Sequence, residues 1–576
     1  MVAPLTNGSS KRGRAFPLRV ALLSLLFAAG CATGKSGGAD AAAGQGGGGN
    51  AGSGAGGTSG ASGSGARAGA GAGGSGVGGS SLGSGGNTAS SGGAGGLGGS
   101  AGTAGSAGGR GGAGGLGGSA GTAGSAGGRG GAGGLGGSAG TAGSVGGGNG
   151  GAAGSGSTLT PAPVWSWTGV VGTGQSLAVG GHGNAPAMTI GATTQPFHNL
   201  KLSLGSATVP PFTPTNAALS MVPLVEPLRT ITTTYPSPYP ANIYGESFHT
   251  AMSDELTSLA ISAGKTDFVS TQTEVGEAGQ PISVIQKGAT DTGTTGRAYA
   301  ASLFEVAAIA RLAKAQGKSY GVGAVLLTHG ESDAASTTYE SDMVTLWTNY
   351  NHDLPPLTGQ TFAIPMLLSQ QHSNPMDAGS TSTATIAQWK IGVDHPGDII
   401  CTGPKYQYSY VSDYTHLINK DYERLGEKDA QVFYQRVVLG NDWQPLQPTG
   451  ASRSGRVITV TFNVPKMPLA WDTSLPAPHT ASNSAWAQGK GFEVSSGSTP
   501  VTISSVAIAG SSVQITVASD LPASGVTVAY AFTADAAPRA NGTVRWGLLH
   551  DSDPFVGYLT GMPGQNYAVA FQLNVP

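Results

Sequence analysis

Followed by its apolar and polar positions, the chain changes character twice. From Leu159 to about residue 440, apolar runs of strand length alternate with longer stretches of helical period. Trp165 to Val171 reads as a short buried strand, and Thr266 to Thr273, Tyr320 to Leu327 and Phe362 to Leu368 read as others. Between them, Tyr299, Leu303, Phe304, Ala307, Ala308 and Leu312 share one face of a helix predicted over 297–316 and closed by Gly317. Further helices are predicted over 343–350 and 420–438. This alternation predicts an α/β fold, a parallel sheet with helices on both faces, and ligands at the carboxyl ends of the strands. Past Trp443-Gln-Pro-Leu-Gln-Pro448 the period becomes two. Val457 to Val464, Val501 to Ile503, Val506 to Ile508, Val513 to Val517 and Val526 to Phe532 follow at hairpin spacing, which predicts a β-sandwich over 441–576.

Before Leu159 there is no such pattern. The 576 residues include 101 glycines, most of them ahead of residue 158, and residues 32–158 are almost wholly Gly, Ala, Ser and Thr. A nineteen-residue repeat recurs around Leu97, Leu116 and Leu135, with Arg110 and Arg129 between copies. One leucine per repeat cannot build a core, so the segment reads as a disordered tether and not as a solenoid. Its root-mean-square reach is on the order of 60 Å. Ahead of it, Lys11, Arg12, Arg14 and Arg19 precede an apolar stretch from Val20 to Ala29 that is too short to span a bilayer. That stretch ends in Leu26-Phe-Ala-Ala-Gly-Cys31, which resembles the lipobox of bacterial lipoproteins, with Ala28 in place of the usual leucine. The resemblance implies a 1–31 signal segment, lipidation of Cys31, a membrane anchor and an extracytoplasmic location at the outer membrane or cell surface; plain secretion is the alternative.

Composition narrows the chemistry. A formal net charge of −2 with no basic stripe excludes nucleic acid as an expected partner. Two cysteines, Cys31 and Cys401, give no disulfide framework, and Cys401 reads as a small buried apolar residue. His182, His198, His249, His352, His372 and His395 are scattered without metal-ligand spacing, so neither a metal nor any other cofactor is expected. Asp394-His395 reads as a loop. Trp471, Trp486 and Trp546 in the β-rich part are either carbohydrate-stacking platforms or core residues.

Three stretches carry candidate catalysis. In Gly174-Gln-Ser176 a predicted strand breaks into glycines around one serine, a junction at which a hydroxyl can be held exposed at a strand end and the backbone N–H groups beyond it stay free for an anion. An ordinary Gly/Ser turn is the competing reading. Thr328-His-Gly-Glu-Ser-Asp333 ends another strand. In Asp413-Tyr-Thr-His416 a carboxylate three residues before an imidazole can accept the ring Nδ1–H and aim Nε2 outward, the orienter-and-base half of a serine triad. The competing reading makes Asp413 a helix cap. No Gly-x-Ser-x-Gly occurs after residue 158, which argues against an α/β-hydrolase elbow.

In this order, with the glycine block Gly276-Glu-Ala-Gly279-Gln between them, the stretches resemble the SGNH (GDSL-type) hydrolases. They are most similar to the sialate O-acetylesterase and acetylxylan-esterase branch. The resemblance covers 159–440. It implies Ser176 as nucleophile, His416 as base and then acid, Asp413 as its orienter, and the N–H groups of Ser176 and Gly279 as oxyanion donors. Gly279 is preferred to Gly276 because Gly279-Gln-Pro-Ile-Ser better matches the branch. The third oxyanion donor falls on His329, whose neutral ring can donate an N–H. Gln175 and Glu331 are grouped with the oxyanion and substrate-binding residues, Glu331 bracing the site through hydrogen bonds or, alternatively, capping a strand end. Leu177 stands where the branch carries Asn. The implied activity is acetyl removal from carbohydrate. The alternatives are a general lipase- or polyester-type esterase, or a surface glycan-binding or adhesion protein on a degenerate hydrolase domain.

Overall fold

A computed structural model describes residues 159–182, 188–203, 212–228, 245–290 and 295–576. The predicted signal segment with Cys31 and the glycine-rich repeats lie outside the described residues. Among the described residues no helix is long and apolar enough to cross a membrane.

The α/β part is one seven-stranded sheet. Its strands are β1 (Trp167–Gly174), β2 (Leu200–Ser203), β3 (Ser220–Pro223), β4 (Ser270–Gly276), β5 (Tyr320–Thr328), β6 (Met366–Gln370) and β7 (Ile399–Pro404), in the order β3-β2-β4-β1-β5-β6-β7. The short helices α1 (Ile190–Thr193) and α5 (Pro355–Thr358) connect these strands, with the longer α2 (His249–Ser262), α3 (Ala298–Ala315), α4 (Tyr339–Asp353) and α6 (Thr383–Asp394), and α7 (Asn419–Phe433) follows β7. β1 is central and fully buried, so successive side chains must serve opposite layers. Val170, Ala324 and Leu326 pack with Phe248, which precedes α2, with Met252 and Leu256 of α2 and with Tyr422, Leu425 and Phe433 of α7. Their neighbours Val171, Val325 and Leu327 join the layer of α3, α4 and α6.

The sheet is mixed, where the pattern predicted a wholly parallel one. β3 runs antiparallel to β2 at the edge. Both strands are four residues long and mostly part-exposed, so they lack the continuous apolar run of a central strand. The Lys201 ammonium, held by the carbonyls of Val225 and Pro227 at 2.5 and 2.8 Å, puts a charge near that edge. The predicted helix over 420–438 ends at Phe433 and continues as one wider turn over Tyr434–Val438.

The chain comes into the sheet at its amino end. Leu159 N–H donates to Gly440 O and Ala162 N–H to Val437 O, both at 2.7 Å, ahead of β1. Gly174 opposes Gly276 of β4 and Thr328 of β5, so three carboxyl strand ends meet where the chain order diverges.

The β-rich part adds β8 (Gln447–Ser454), β9 (Val457–Asn463), β10 (Ala470–Trp471), β11 (Phe492–Ser496), β12 (Thr499–Pro500), β13 (Ile503–Ala509), β14 (Ser512–Val517), β15 (Val526–Tyr530), β16 (Leu549–His550) and β17 (Phe571–Val575). Two four-stranded antiparallel sheets, β12-β11-β15-β17 and β13-β14-β9-β8, pack through alternate residues such as Ile458, Val460, Val513, Ile515, Phe492, Val528 and Phe571. Trp486 and Trp546 are buried, and their indole N–H groups donate to Val494 O and Pro476 O. They are core residues, while Trp471 is half-buried with the Lys490 ammonium 4.5 Å from its ring centroid.

This part is interlocked with the α/β part. Arg539 donates to the carbonyls of Tyr406 and Tyr408, at 2.6 and 2.9 Å. Arg545 donates to Pro375 O at 2.7 Å and Ser380 O at 3.0 Å, and Tyr406 Oη to Ala568 O at 2.7 Å.

Candidate active site

The backbone beyond β1 is shaped by Gly174, whose φ of +146° suits glycine and whose Cβ would lie 2.0 Å from Thr328 O. Gln175 N–H donates to that same Thr328 carbonyl at 3.2 Å. The chain then turns through a short 3-10 segment, Ser176–Val179, with Leu177 fully buried beneath it. Ser176 is itself buried, so its hydroxyl is not held out into solvent at the strand end.

Ser176 Oγ and His416 Nε2 are 2.6 Å apart across 240 residues of sequence. His416 Nδ1 is 2.7 Å from Asp413 Oδ2. The other carboxylate oxygen, Oδ1, accepts the backbone N–H groups of Thr415 at 2.8 Å and His416 at 3.0 Å. Asp413 therefore orients the ring and caps its own turn together. Burial alone would raise the Asp413 carboxyl, but the bonds from the His416 ring and the two backbone N–H groups outweigh it and hold it well below the usual carboxylate range. As an anion it keeps the Nδ1–H tautomer of His416, which leaves the Nε2 lone pair facing the serine.

Gly279 lies in a turn just after β4, at φ +70°, with open space where a Cβ would stand. Among the described residues neither its N–H nor that of Ser176 enters a backbone hydrogen bond. The rival Gly276 is walled in, its Cβ position 2.9 Å from Gly174 O.

His329 departs from the expectation. It is fully buried, its Nε2 lies 3.0 Å from Gln280 O and its Nδ1 3.1 Å from the Tyr339 hydroxyl. A carbonyl only accepts, so the Nε2–H is spent on Gln280. Burial lowers the ring's pKa and favours the neutral form, whose Nδ1 then accepts from Tyr339. No ring N–H remains for an oxyanion, and the side chain instead fixes the loop that carries Gly279. Gln175 Oε1 accepts Ser332 N–H at 3.3 Å, tying the serine turn to the segment after β5. Glu331 is buried and paired with Lys405 Nζ at 2.9 Å, so it braces the strand ends of β5 and β7.

Two residues without a sequence signal border the triad. Gly181 passes against the His416 ring, fixed by its N–H to Ser176 O at 2.6 Å and its carbonyl to the Tyr422 hydroxyl at 2.5 Å. His182 Nε2 lies 3.5 Å from Asp413 Oδ2, and its ring centroid is 4.7 Å from that of His416. Both follow Ser176 within six positions, yet only the fold turns them back over Asp413 and His416.

No family model and no curated protein matches the sequence. Among solved structures, a carbohydrate acetylesterase from Xanthomonas citri aligns over 70% of this chain and 80% of its own, at 13% identity and a TM-score of 0.44. A protein from Arabidopsis thaliana aligns over 46% of this chain and 97% of its own, at 17% identity and 0.33. NanS aligns over 48% and 98%, at 10% identity and 0.31. At such identities and scores the likeness decides neither activity nor substrate.

Proposed function

We propose that the chain is an extracytoplasmic serine esterase of SGNH type that removes O-acetyl groups from carbohydrate. The observation that carries the hydrolytic reading is the continuous relay Ser176 Oγ, His416 Nε2–Nδ1, Asp413 Oδ2, with its two contacts at 2.6 and 2.7 Å. The acetyl and carbohydrate preference is supported by the motif set around Gly174-Gln-Ser176 and His329-Gly-Glu-Ser-Asp333. The location is supported by the lipobox-like Leu26-Phe-Ala-Ala-Gly-Cys31.

Ser176 Oγ attacks the ester carbonyl as its proton passes to His416 Nε2, and Asp413 stabilises the imidazolium that forms. The N–H groups of Ser176 and Gly279 receive the oxyanion, each worth about 2.7–4 kcal/mol in comparable sites. His416 then protonates the departing sugar oxygen, leaving an acetyl ester on Ser176. Water deprotonated by the same nitrogen attacks it and releases acetate. The test is acetate release from p-nitrophenyl acetate and acetylated xylan by the full chain and by Ser176→Ala. The expected result is turnover by the wild type and a loss of at least about a hundredfold in the variant. Equal release by both would remove Ser176 from the reaction, and no release from either substrate by folded wild type would overturn the esterase reading.

A further inference from the structure

The hydrolytic relay leaves His182 without a part, yet its position relative to the relay is specific. Asp413 commits Oδ1 to two backbone N–H groups, so Oδ2 is the oxygen that meets both imidazoles. His182, Asp413 and His416 each present one donor atom within 4.8 Å of the other two. The 3.5 Å between His182 Nε2 and Asp413 Oδ2 is close to the separation of two ligands on one tetrahedral ion with bonds of about 2.0–2.1 Å, while the 2.7 Å hydrogen bond between Asp413 Oδ2 and His416 Nδ1 must lengthen to a similar separation as the ion enters. The His182 and Asp413 side chains are 51% and 36% exposed, so an ion can enter from solvent and keep a water as fourth ligand.

We propose that His182, Asp413 and His416 bind a borderline divalent transition metal, zinc foremost, and that the bound ion switches the triad off. Two imidazoles and one carboxylate suit zinc, copper or nickel and suit magnesium or calcium poorly. Coordination at His416 Nδ1 needs the lone pair that the Nδ1–H now occupies. That proton moves through water to Nε2, the ring stays neutral, and the metal–nitrogen bond replaces the Nδ1–H contact to Asp413. Nε2 then carries a hydrogen toward Ser176 and has no lone pair to take one. The ring is in the wrong tautomer, a state that costs a serine protease triad about 10⁴-fold in turnover.

Metal binding stands apart from the esterase reading; the loss of turnover rests on it, so the two are measured separately. Zinc chloride is titrated calorimetrically into the full chain, into Ser176→Ala, and into His182→Asn and His182→Ala. Asparagine is included because His182 sits at φ +58°, where Asn is tolerated. Expected are one zinc per chain in the wild type, equal affinity in Ser176→Ala, and at least tenfold weaker binding in both His182 variants with unchanged circular dichroism. Zinc that binds equally to the folded His182 variants, or does not bind the wild type, overturns the site. For the switch, p-nitrophenyl acetate turnover should fall at least a hundredfold at saturating zinc and return with EDTA. Saturated enzyme that keeps its turnover overturns it.

Discussion

Gly181→Ala should abolish the proposed turnover without replacing a triad residue. A Cβ at position 181 would stand 2.4 Å from His416 Cδ2, 2.8 Å from Nε2 and 2.9 Å from Ser176 O, against ordinary contact from 3.4 Å upward. The segment cannot easily yield, because both backbone groups of Gly181 are tied, to Ser176 O and to the Tyr422 hydroxyl. The ring must therefore retreat by roughly 1 Å, a misplacement of the size that costs about 10²-fold in rate. The 2.6 Å contact between Ser176 and His416 would open beyond hydrogen-bonding distance. In free energy the loss is about 2.7 kcal/mol of transition-state stabilisation. Steady-state kinetics on p-nitrophenyl acetate should show it in kcat with KM little changed, because no substrate contact is removed. Thermal unfolding should stay near the wild type. A variant within about threefold of wild-type kcat would refute the packing argument and show that the loop gives way instead.

Asp413→Asn should keep the fold and lower kcat by about 10⁴-fold, since the amide no longer enforces the Nδ1–H tautomer; a loss under tenfold would contradict the assigned orienter. Lys405→Met should cost about 3–5 kcal/mol in urea unfolding, because it leaves the buried Glu331 carboxylate unpaired; an unchanged midpoint would count against that pairing. Burial, joined by the nearby Glu423 carboxylate, raises Glu246 to about 8 despite bonds from Thr189 and Asn419. Its neutral form favours the fold, so that contribution is complete below the ordinary value of 4.5 and disappears as pH rises through about 8. Glu226, Asp254, Glu255 and Asp429, each raised to about 7 by burial, act in the same direction. The thermal midpoint should fall between pH 5 and pH 8, and less steeply in Glu246→Gln; a wild-type midpoint rising over that range would contradict the assignment.

The sequence was legible where chemistry and period are local. Asp413 and His416 lie on one turn, and β1, β5 and α3 announce themselves by apolar runs or a single apolar face. α2 does not, because Thr250, Ser253, Asp254, Glu255 and Thr257 are buried along with Met252 and Leu256, so no polar face marks its period. What depends on the meeting of distant segments stayed hidden as well. His329 read as an oxyanion donor because nothing in the sequence shows Gln280 O or the Tyr339 hydroxyl against its ring. Lys405 beside Glu331, Arg539 on the carbonyls of the 406–408 loop and His182 against Asp413 are likewise products of register and not of spacing. A division near residue 440 follows the change of period, yet Arg539 and Arg545 reach across it to loops of the α/β part.

The lead-in segment that pairs Leu159 with Gly440 has a practical meaning for how the molecule can be handled. Between it and Ser176 runs the whole of β1, eight residues, or about 25 Å of strand at the usual rise. A resin, sensor chip or fluorophore coupled just ahead of Leu159 would grip one pole of the sheet and leave the serine pole facing bulk solution. On the proposed reading, a substrate as large as a polysaccharide would then reach Ser176 of the immobilised protein without steering around its support.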